Sequence, residues 1–431
     1  MGKQALPILR GYFVIQRLPK AYSVRGLMYF TRLRAAIDHF LLSCKKLALN
    51  SIGEKLIMKV FITGGAGFIG KWLVRSLPFD CDIVLLDSID GQVHSLIDDF
   101  SEDLKSRALC IKADIRDQAA YVQALEGSDA VVHLASQTGT GQSMYEISKY
   151  VQHNVDGTAN FLEAISSLKQ KPRRIVLSSS RAVYGEGAFS DGDKVIYGRK
   201  RQLKDLQSGK WETYNEDGQE ISALPMREDQ LLQPTSIYGL TKQWQEDLIK
   251  IYAQNQHIDY AILRLQNVYG PGQELQNPYT GIIGIFTSLI YRKGKVELFE
   301  DGKMTRDFVY VADVAAALKS TIYCQQEISK TINVGNGKPT SLNELVRVIC
   351  DISNSPAEIE YSGRFRVGDI RHAVADMELY KETFGSWNPT SLEVGIRQYL
   401  EWYQNQEPLP EEKLSASLKE MENQKMLLKS K

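Results

Sequence analysis

The sequence predicts an α/β fold, a doubly wound parallel sheet followed by a smaller mixed α/β region. From residue 58 onward, short apolar runs alternate with helical stretches. The runs are nearly continuous in Val, Ile and Leu, which is typical of strands that are buried on both faces. Strands that alternate with helices in this way form parallel sheets with helices on both sides.

The elements follow in chain order. The first strand is predicted at residues 59–63 (KVFIT), and a helix begins near Phe68. Further strands are predicted at residues 82–86 (DIVLL), 108–111, 130–134 (AVVHL) and 174–177 (RIVL), and after Ile258 (YAILRL). We therefore divide the chain into a doubly wound domain at 58–260, a smaller mixed domain at 261–405 and a charged tail at 406–431.

Two segments break the alternation of strands and helices. Residues 188–230 are polar, glycine-rich and charged, which predicts a long surface insertion. Its basic run at 199–204 is interpreted as a solvated face rather than an anion site. The tail after Glu407 is charged, and we expect it to be frayed.

Composition excludes several classes of protein. The 431 residues carry 52 Lys+Arg and 52 Asp+Glu, so the net charge lacks the basic excess of a nucleic-acid-binding protein. No stretch approaches the roughly 18 apolar residues of a membrane span. The cysteines form no CxxC pair and no close Cys/His cluster, so we predict no metal site and a reducing, cytoplasmic compartment. The five cysteines are Cys44, Cys81, Cys110, Cys324 and Cys350.

Residues 1–57 are strongly basic, with ten Lys/Arg against Asp38 and Glu54. Three interpretations stay open. Met58 can be the functional start behind an upstream extension, residues 31–46 can form a helix on a surface or membrane interface, or the segment can be an organelle presequence. None of them affects the chemistry of the rest of the chain.

A glycine motif follows the first strand. Gly64, Gly67 and Gly70 form G-x-x-G-x-x-G between a strand and a helix. Glycine permits a positive φ at the turn and a close approach of the backbone to a pyrophosphate. The helix N-terminus beyond it offers N–H groups and a positive dipole end to the phosphates. The motif therefore predicts a dinucleotide site.

Two aspartates lie at the ends of the next strands, where the rest of a bound dinucleotide would lie. Asp87 ends the second strand, where a carboxylate binds the ribose hydroxyls and repels a 2′-phosphate, which favours NAD over NADP. Asp114 follows the third strand, and it can either contact the adenine or cap a helix.

A second motif, Tyr238-Gly239-Leu240-Thr241-Lys242, predicts catalysis. Tyr238 and Lys242 share one helix face at spacing i, i+4. A phenol titrates near pH 10, so it needs a neighbouring cation such as Lys242 to act as a base at neutral pH. Ser180, at the end of the fifth strand, offers a hydroxyl that can bridge the tyrosine and a reacting sugar hydroxyl.

These motifs together resemble the extended short-chain dehydrogenase/reductase superfamily, in its NAD-dependent nucleotide-sugar epimerase/dehydratase branch. The resemblance is carried by GGAGFIG, HLASQ (133–137), NVDGTANFLEA (154–164), SSSRAVYG (178–185), YGLTK and RDFVYVADV (306–314). It covers residues 58 to about 404. It implies a Rossmann fold, an NAD cofactor, a nucleoside-diphosphate sugar as substrate, and a homodimer formed through the helix that bears Tyr238.

The resemblance also implies site residues. The catalytic residues are Ser180, Tyr238 and Lys242. The NAD site is formed by Gly64, Gly67, Phe68, Ile69, Gly70, Asp87, Asp114, Ile115, Ala135, Asn154, Tyr238 and Lys242. The substrate contacts are Ser180, Asn267, Arg306 and Arg366. Guanidinium forks suit phosphate oxygens. Without the resemblance, Arg306 could equally form an ordinary ion pair with the adjacent Asp307.

Within the branch, dehydratases that make 4-keto-6-deoxy sugars carry an Asp-Glu pair after the catalytic Ser/Thr. Arg181 and Ala182 occupy those positions here, which favours 4-epimerisation over elimination of water. SRAVYGEG, GKWE (209–212) and GPGQELQNPYTGI are similar to the dTDP-L-rhamnose 4-epimerases. Members of that group often carry a cysteine pair after the Trp-Glu, whereas this chain has no cysteine between Cys110 and Cys324. The departure bears on the substrate more than on the reaction.

Other functions stay open. A UDP-hexose or UDP-uronate 4-epimerase is the nearest alternative on substrate. A reductase or decarboxylase on the same scaffold, or a catalytically silent NAD-binding protein, would change the class.

Overall fold

The computed structural model of the chain describes residues 57–94, 98–279 and 281–431. The expectations for residues 1–57 therefore lie outside the described residues, apart from Ile57. Among the described residues, no helix is long and apolar enough to cross a membrane.

The described residues form eighteen strands. They are β1 Lys59–Thr63, β2 Asp82–Asp87, β3 Leu109–Lys112, β4 Ala130–His133, β5 Arg174–Ser180, β6 Ala188–Asp191, β7 Lys194–Tyr197, β8 Ser222–Ala223, β9 Asp259–Leu265, β10 Asn267–Tyr269, β11 Lys295–Leu298, β12 Thr305–Arg306, β13 Phe308–Tyr310, β14 Lys330–Val334, β15 Thr340–Ser341, β16 Glu358–Tyr361, β17 Arg364–Arg366 and β18 Leu427–Lys429.

The same residues form fourteen α-helices. They are α1 Phe68–Ser76, α2 Glu102–Lys105, α3 Gln118–Leu125, α4 Thr140–Ser143, α5 Ile147–Tyr150, α6 Gly157–Ser167, α7 Leu203–Gln207, α8 Ile237–Gln256, α9 Ile282–Lys293, α10 Val311–Tyr323, α11 Leu342–Ser353, α12 Glu378–Phe384, α13 Leu392–Tyr403 and α14 Glu411–Asn423. A π-helical segment, Val151–Asp156, joins α5 to α6, and a 3-10 turn, Arg181–Val183, follows β5.

Seven parallel strands form the central sheet in the order β14-β9-β5-β4-β1-β2-β3, which confirms the predicted doubly wound fold. Successive β1 side chains point to opposite faces. Val60 and Ile62 pack with α1 and α10, whereas Phe61 packs with α3, α6 and α8. Burial of each such side chain contributes roughly 1.5–3 kcal/mol.

The strand order places a crevice beside β1. The chain runs from β1 outward to β2 and β3, and then returns to β4 on the other side of β1. In open parallel sheets, ligands bind beyond the carboxyl ends of the strands where the order reverses. The loops after β1 and β4 flank this crevice.

A smaller mixed α/β region follows, built from four two-stranded pairings and from α9, α11 and α13. Its apolar core includes Phe308, Leu345 and Ile396. The two regions are interleaved in sequence. The boundary that we predict at 260 falls inside β9, and β14 returns to the central sheet.

The segment predicted as a surface insertion forms a three-stranded antiparallel sheet, β7-β6-β8, and the helix α7. Its outer strand is exposed, but its basic run is not simply a solvated face. The side chain of Arg201 is only 3% exposed and pairs with Glu186 and Glu300. The expectation of a solvated face is therefore wrong for Arg201, because these buried acids compensate its charge.

The tail predicted to fray is folded. Residues 411–423 form α14, and β18 pairs antiparallel with β17, so that Leu427 lies opposite Arg366. Met421 and Leu427 are buried. Burial of these apolar side chains offsets the entropy of ordering the charged segment.

Candidate active site

A cavity of about 460 Å³ lies at the carboxyl ends of the central strands and is called the dinucleotide cleft below. Most of the residues predicted for the NAD site line it: Gly64, Gly67, Phe68, Ile69, Gly70, Asp87, Asp114, Ile115, Ala135 and Tyr238. Ser180 and Asn267 line it as well.

The glycine motif forms a close-packed turn. Gly64 has φ +69°, and a Cβ added there would lie 2.7 Å from the backbone nitrogen of Ala135. A Cβ on Gly70 would lie 2.6 Å from the carbonyl oxygen of Gly65. Gly67 is the N-cap of α1 and offers no side-chain cap, so the first N–H groups of the helix face the cleft without a side-chain acceptor. The turn therefore fits a dinucleotide pyrophosphate.

Asp87 is held at the mouth of the cleft. Its Oδ2 accepts from the backbone N–H of Ala66 at 3.0 Å, and its Oδ1 accepts from that of Ile89 at 2.9 Å. These bonds orient a buried carboxylate at the end of β2, as a ribose contact requires.

Asp114 lines the cleft but is already paired. Its Oδ1 and Oδ2 accept from Nε and Nη2 of Arg116 at 2.9 and 2.7 Å. These hydrogen bonds lower the pKa of Asp114. It does not cap the next helix, because the N-cap of α3 is Asp117.

Asn154 and Lys242 lie behind the wall of the cleft rather than on it. The Asn154 Oδ1 accepts from the backbone N–H of Gln137 at 2.7 Å, and its Nδ2 donates to Oγ1 of Thr241 at 3.0 Å. Asn154 therefore ties the loop after β4 to α8. The buried Lys242 Nζ donates to Oε1 of Gln245 at 2.8 Å.

The start of α8 places Tyr238 beside Ser180. Ser236 caps the helix by accepting from the N–H of Gly239 at 3.1 Å. A Cβ on Gly239 would lie 2.4 Å from the carbonyl oxygen of Ala182, so only glycine allows α8 to approach the turn after β5 this closely. Both side chains line the dinucleotide cleft, and the Ser180 side chain lies close enough to lower the pKa of Tyr238. The predicted catalytic hydroxyl groups are therefore together.

The surroundings of Tyr238 and Lys242 set their ionisation. Burial raises the pKa of Tyr238, while the Ser180 hydrogen bond and the Arg181 charge oppose that rise. Burial lowers the pKa of Lys242 to about 7, although the carboxylate of Glu246 opposes this shift. A pKa near 7 suits a group that exchanges charge at neutral pH.

A second cavity of about 620 Å³ is lined by Arg306 and Arg366, and it is called the substrate cavity below because these are predicted substrate contacts. Asn267 lines both cavities, and so does Arg181. Arg306 pairs with Asp369 at 3.0 Å. The possible ion pair with Asp307 does not form, because the Asp307 carboxylate accepts the backbone N–H groups of Asn336, Gly337 and Ala375.

Distant segments complete the substrate cavity. Apolar side chains of α9, including Ile285 and Leu289, form one wall, and Leu414 and Leu418 of the folded tail also line the cavity. The insertion supports the strand that carries Arg366. Trp211 packs on Phe365 with ring centroids 5.9 Å apart.

Glu212, next to Trp211, holds the following loop. It accepts from the side chains of Arg371 and His372 at 2.5 and 2.9 Å. Burial works to raise its pKa, but the hydrogen bonds from His372 and Arg371 lower it to about 2. The GKWE segment therefore positions the loop that carries Asp369.

Sequence reasoning did not assign Asp369, Leu414 or Leu418 to the site. The spacing of the two leucines by four residues is a helical signal, and it could have identified α14. Nothing in the local pattern indicates that this helix reaches the substrate cavity. Among the described residues, no group of His, Cys, Asp or Glu could hold a metal ion.

A parallel sheet with a pyrophosphate turn at its crossover point, and a Tyr–Ser pair at the end of the same cleft, defines a dinucleotide-dependent enzyme. The NAD dependent epimerase/dehydratase family model matches residues 60–335. The chain belongs to this family. The match confirms the predicted class of NAD-dependent nucleotide-sugar epimerases and the predicted cofactor, NAD.

Relatives agree with this assignment. A dTDP-L-rhamnose 4-epimerase from Burkholderia thailandensis is 37% identical over 80% of this chain and 94% of its own length. A UDP-N-acetylglucosamine 4-epimerase from Methanobrevibacter ruminantium, solved with UDP-N-acetylmuramic acid, has a TM-score of 0.65 and 27% identity, over 81% of this chain and 99% of its own. MoeE5, solved with UDP-glucuronic acid and NAD, has a TM-score of 0.63 and 28% identity, over 80% of this chain and 99% of its own.

Proposed function

We propose that the chain is a nucleotide-sugar 4-epimerase that acts by transient oxidation at C4, on dTDP-L-rhamnose and dTDP-6-deoxy-L-talose. The turn after Ser180 carries the proposal. Its first two residues are Arg181 and Ala182, so the catalytic pair of hydroxyl groups has no adjacent acid pair to remove and replace protons at C5 and C6. The absence of such a pair favours 4-epimerisation over elimination of water.

Tyr238 is the proposed base at C4. Its phenolate would accept the proton of the C4 hydroxyl, directly or through Ser180, whose hydroxyl both donates and accepts. Lys242, one helical turn further on, supplies a cation that stabilises the phenolate. When bound, NAD supplies the hydride acceptor that oxidation at C4 requires.

The adjoining cavities suit inversion. We assign the diphosphate of the substrate to Asn267, Arg306 and Arg366, since guanidinium groups bind phosphate oxygens in a planar fork. A sugar that is anchored only through its diphosphate can turn its flat 4-keto form over beside Tyr238. Return of the same hydride to the other face then inverts C4 without net redox.

The substrate is inferred from likeness. The Burkholderia thailandensis relative supports dTDP-L-rhamnose. The solved relatives carry UDP sugars, which supports a UDP-hexose or UDP-uronate 4-epimerase as the second candidate. A reductase or decarboxylase on this scaffold would differ in its products, and a reductase would exchange its cofactor freely.

The test is incubation of the purified protein with dTDP-L-rhamnose, without added cofactor, followed by NMR at C4 of the sugar. We expect a C4-inverted product, because an epimerase retains its NAD. Conversion of UDP-glucose or UDP-glucuronate alone would replace the substrate and keep the mechanism. No conversion of any of the three would contradict the proposal.

A further inference from the structure

Arg181 is a charged residue that the proposed mechanism does not use. It follows Ser180 directly and lines both the dinucleotide cleft and the substrate cavity. Its Nε donates to Oδ1 of Asn267 at 2.7 Å, which fixes the plane of the guanidinium group. Across the described residues, the side chain has no other hydrogen bond. Its terminal nitrogens are thus available to a ligand.

The charges around Arg181 do not balance. Arg181, Arg306, Arg366 and the carboxylate of Asp369 line the same cavity, and Asp369 pairs with Arg306 at 3.0 Å. The nearby Asp307 is engaged by backbone N–H groups, and burial raises its pKa to about 6. Arg201 also faces Asp369, but Glu186 and Glu300 neutralise it. The cluster therefore carries an excess of positive charge.

Such an excess is costly in a half-buried cluster unless an anion compensates it. Burial and the neighbouring Arg306 lower the pKa of Arg181 to about 10, as expected for crowded cations. The Nε of Arg366 is buried without a hydrogen-bond partner. Both observations indicate an anionic ligand with several acceptor oxygens.

We propose that Arg181 is a third diphosphate-binding arginine, which holds the sugar-linked phosphate of the substrate at the end of the cluster nearest Tyr238. This assignment rests on the proposed function. Arg306 and Arg366 lie on β12 and β17, whereas Arg181 adjoins Ser180, so it is the arginine that lies beside the reacting sugar. Arg181 thereby anchors the phosphate about which the keto sugar turns.

The position of Arg181 also links substrate binding to the proposed base, Tyr238. The Arg181 charge lowers the pKa of Tyr238, against the effect of burial. Tyr238 is also faced by Ser180 and by the ring edge of Tyr150. Removal of the Arg181 charge should therefore move the ascending limb of the pH–rate profile to higher pH. A residue with only a structural role would not cause this shift.

The first experiment is calorimetric titration of the NAD-loaded protein with dTDP and with dTMP. Arg181→Ala should weaken dTDP binding about 10- to 100-fold, the range of one lost charge-assisted contact, and weaken dTMP binding much less. Arg227→Ala is the matched control, because that arginine is exposed and pairs with Asp229. Unchanged dTDP affinity in a folded, NAD-loaded variant would overturn the proposal, and this result does not depend on which sugar is turned over.

Kinetics form the second experiment. We expect Arg181→Ala to raise KM by a similar factor for neutral and uronic acid sugar nucleotides. An increase confined to the uronic acid substrate would overturn the assignment, since Arg181 would then bind a C6 carboxylate. Arg181→Lys keeps the charge but loses the fork, so it should restore the pH profile and recover only part of the KM. If Arg181→Ala does not fold, Arg181→Lys and Arg181→Gln provide the same comparison.

Discussion

The dinucleotide cleft and the substrate cavity adjoin each other, but they are built differently. Most of the residues predicted for the cofactor line the cleft shortly after β1, β2, β3 or β4, and Tyr238 reaches it from α8. The substrate cavity takes Asn267, Arg306, Arg366 and Leu414 from segments far apart in the chain. The difference teaches that local motifs identify a cofactor site, whereas a substrate site depends on how distant segments meet.

The largest expected effect concerns the Tyr–Ser pair in the dinucleotide cleft. Tyr238→Phe removes the phenolic proton acceptor and should lower kcat by about 10²–10⁴-fold. The rest of the dinucleotide cleft is unchanged, so the variant should still purify with NAD. Tyr252→Phe, on the same helix and bonded to Ser166, is the matched control. Retained turnover by Tyr238→Phe would exclude Tyr238 as the base.

The next substitution lies in the glycine turn and should affect the dinucleotide cleft alone. Gly64→Ala should lower the free energy of unfolding and reduce bound NAD, because the new Cβ would clash with the backbone of Ala135. Gly127→Ala is the control, since Gly127 has a similar φ of +72° but open space around it.

Denaturant titrations separate strain from clash. Gly127→Ala should lower the free energy of unfolding by about 1–2 kcal/mol, because alanine disfavours the left-handed backbone. Gly64→Ala should lower the free energy of unfolding by a further ~1–3 kcal/mol, because its Cβ also clashes with its neighbours. Equal losses in the two variants would show that the turn is not closely packed.

A substitution in the tail disturbs the substrate cavity alone. Leu414→Asp places a carboxylate on the cavity wall and should raise KM roughly tenfold, since a like charge near the diphosphate costs on the order of 1–2 kcal/mol. Bound NAD should not change. Ala416→Asp, at an exposed position of the same helix, should leave KM unaltered. If both variants behave alike, the tail is not part of the substrate site.

The smallest effect is the acid stability of the insertion. The pKa of Glu212 is about 2 in the folded chain, below its ordinary value of 4.5. A depressed folded pKa gives stability that is present above about pH 4.5 and is lost as the pH falls toward 2. Glu212→Gln should therefore make the free energy of unfolding, measured by denaturant titration, fall less steeply as the pH is lowered.

A control variant tests whether the loss of stability in acid comes from Glu212. Glu216→Gln, at an 89% exposed position of the same insertion, should leave the acid limb as it is. An unchanged limb in Glu212→Gln would contradict the role of the Glu212 contacts with Arg371 and His372.

The sequence predicted the central sheet well because buried parallel strands and the glycine turn leave local signals. Ser180 and Tyr238 are predicted together because each belongs to a short motif. The environment of Arg201 and the folding of the tail were predicted wrongly. Both depend on partners more than 60 residues away, such as Glu300 for Arg201 and β17 for β18. Charge in a sequence indicates exposure only when no distant partner neutralises it.

The most direct test of transient oxidation at C4 uses dTDP-L-rhamnose labelled with deuterium at C4. The label should be retained at C4 of the inverted product in ordinary water, because the same hydride leaves and returns within one site. Loss of the label to solvent during inversion would contradict the account, since C4 would then be inverted by proton exchange.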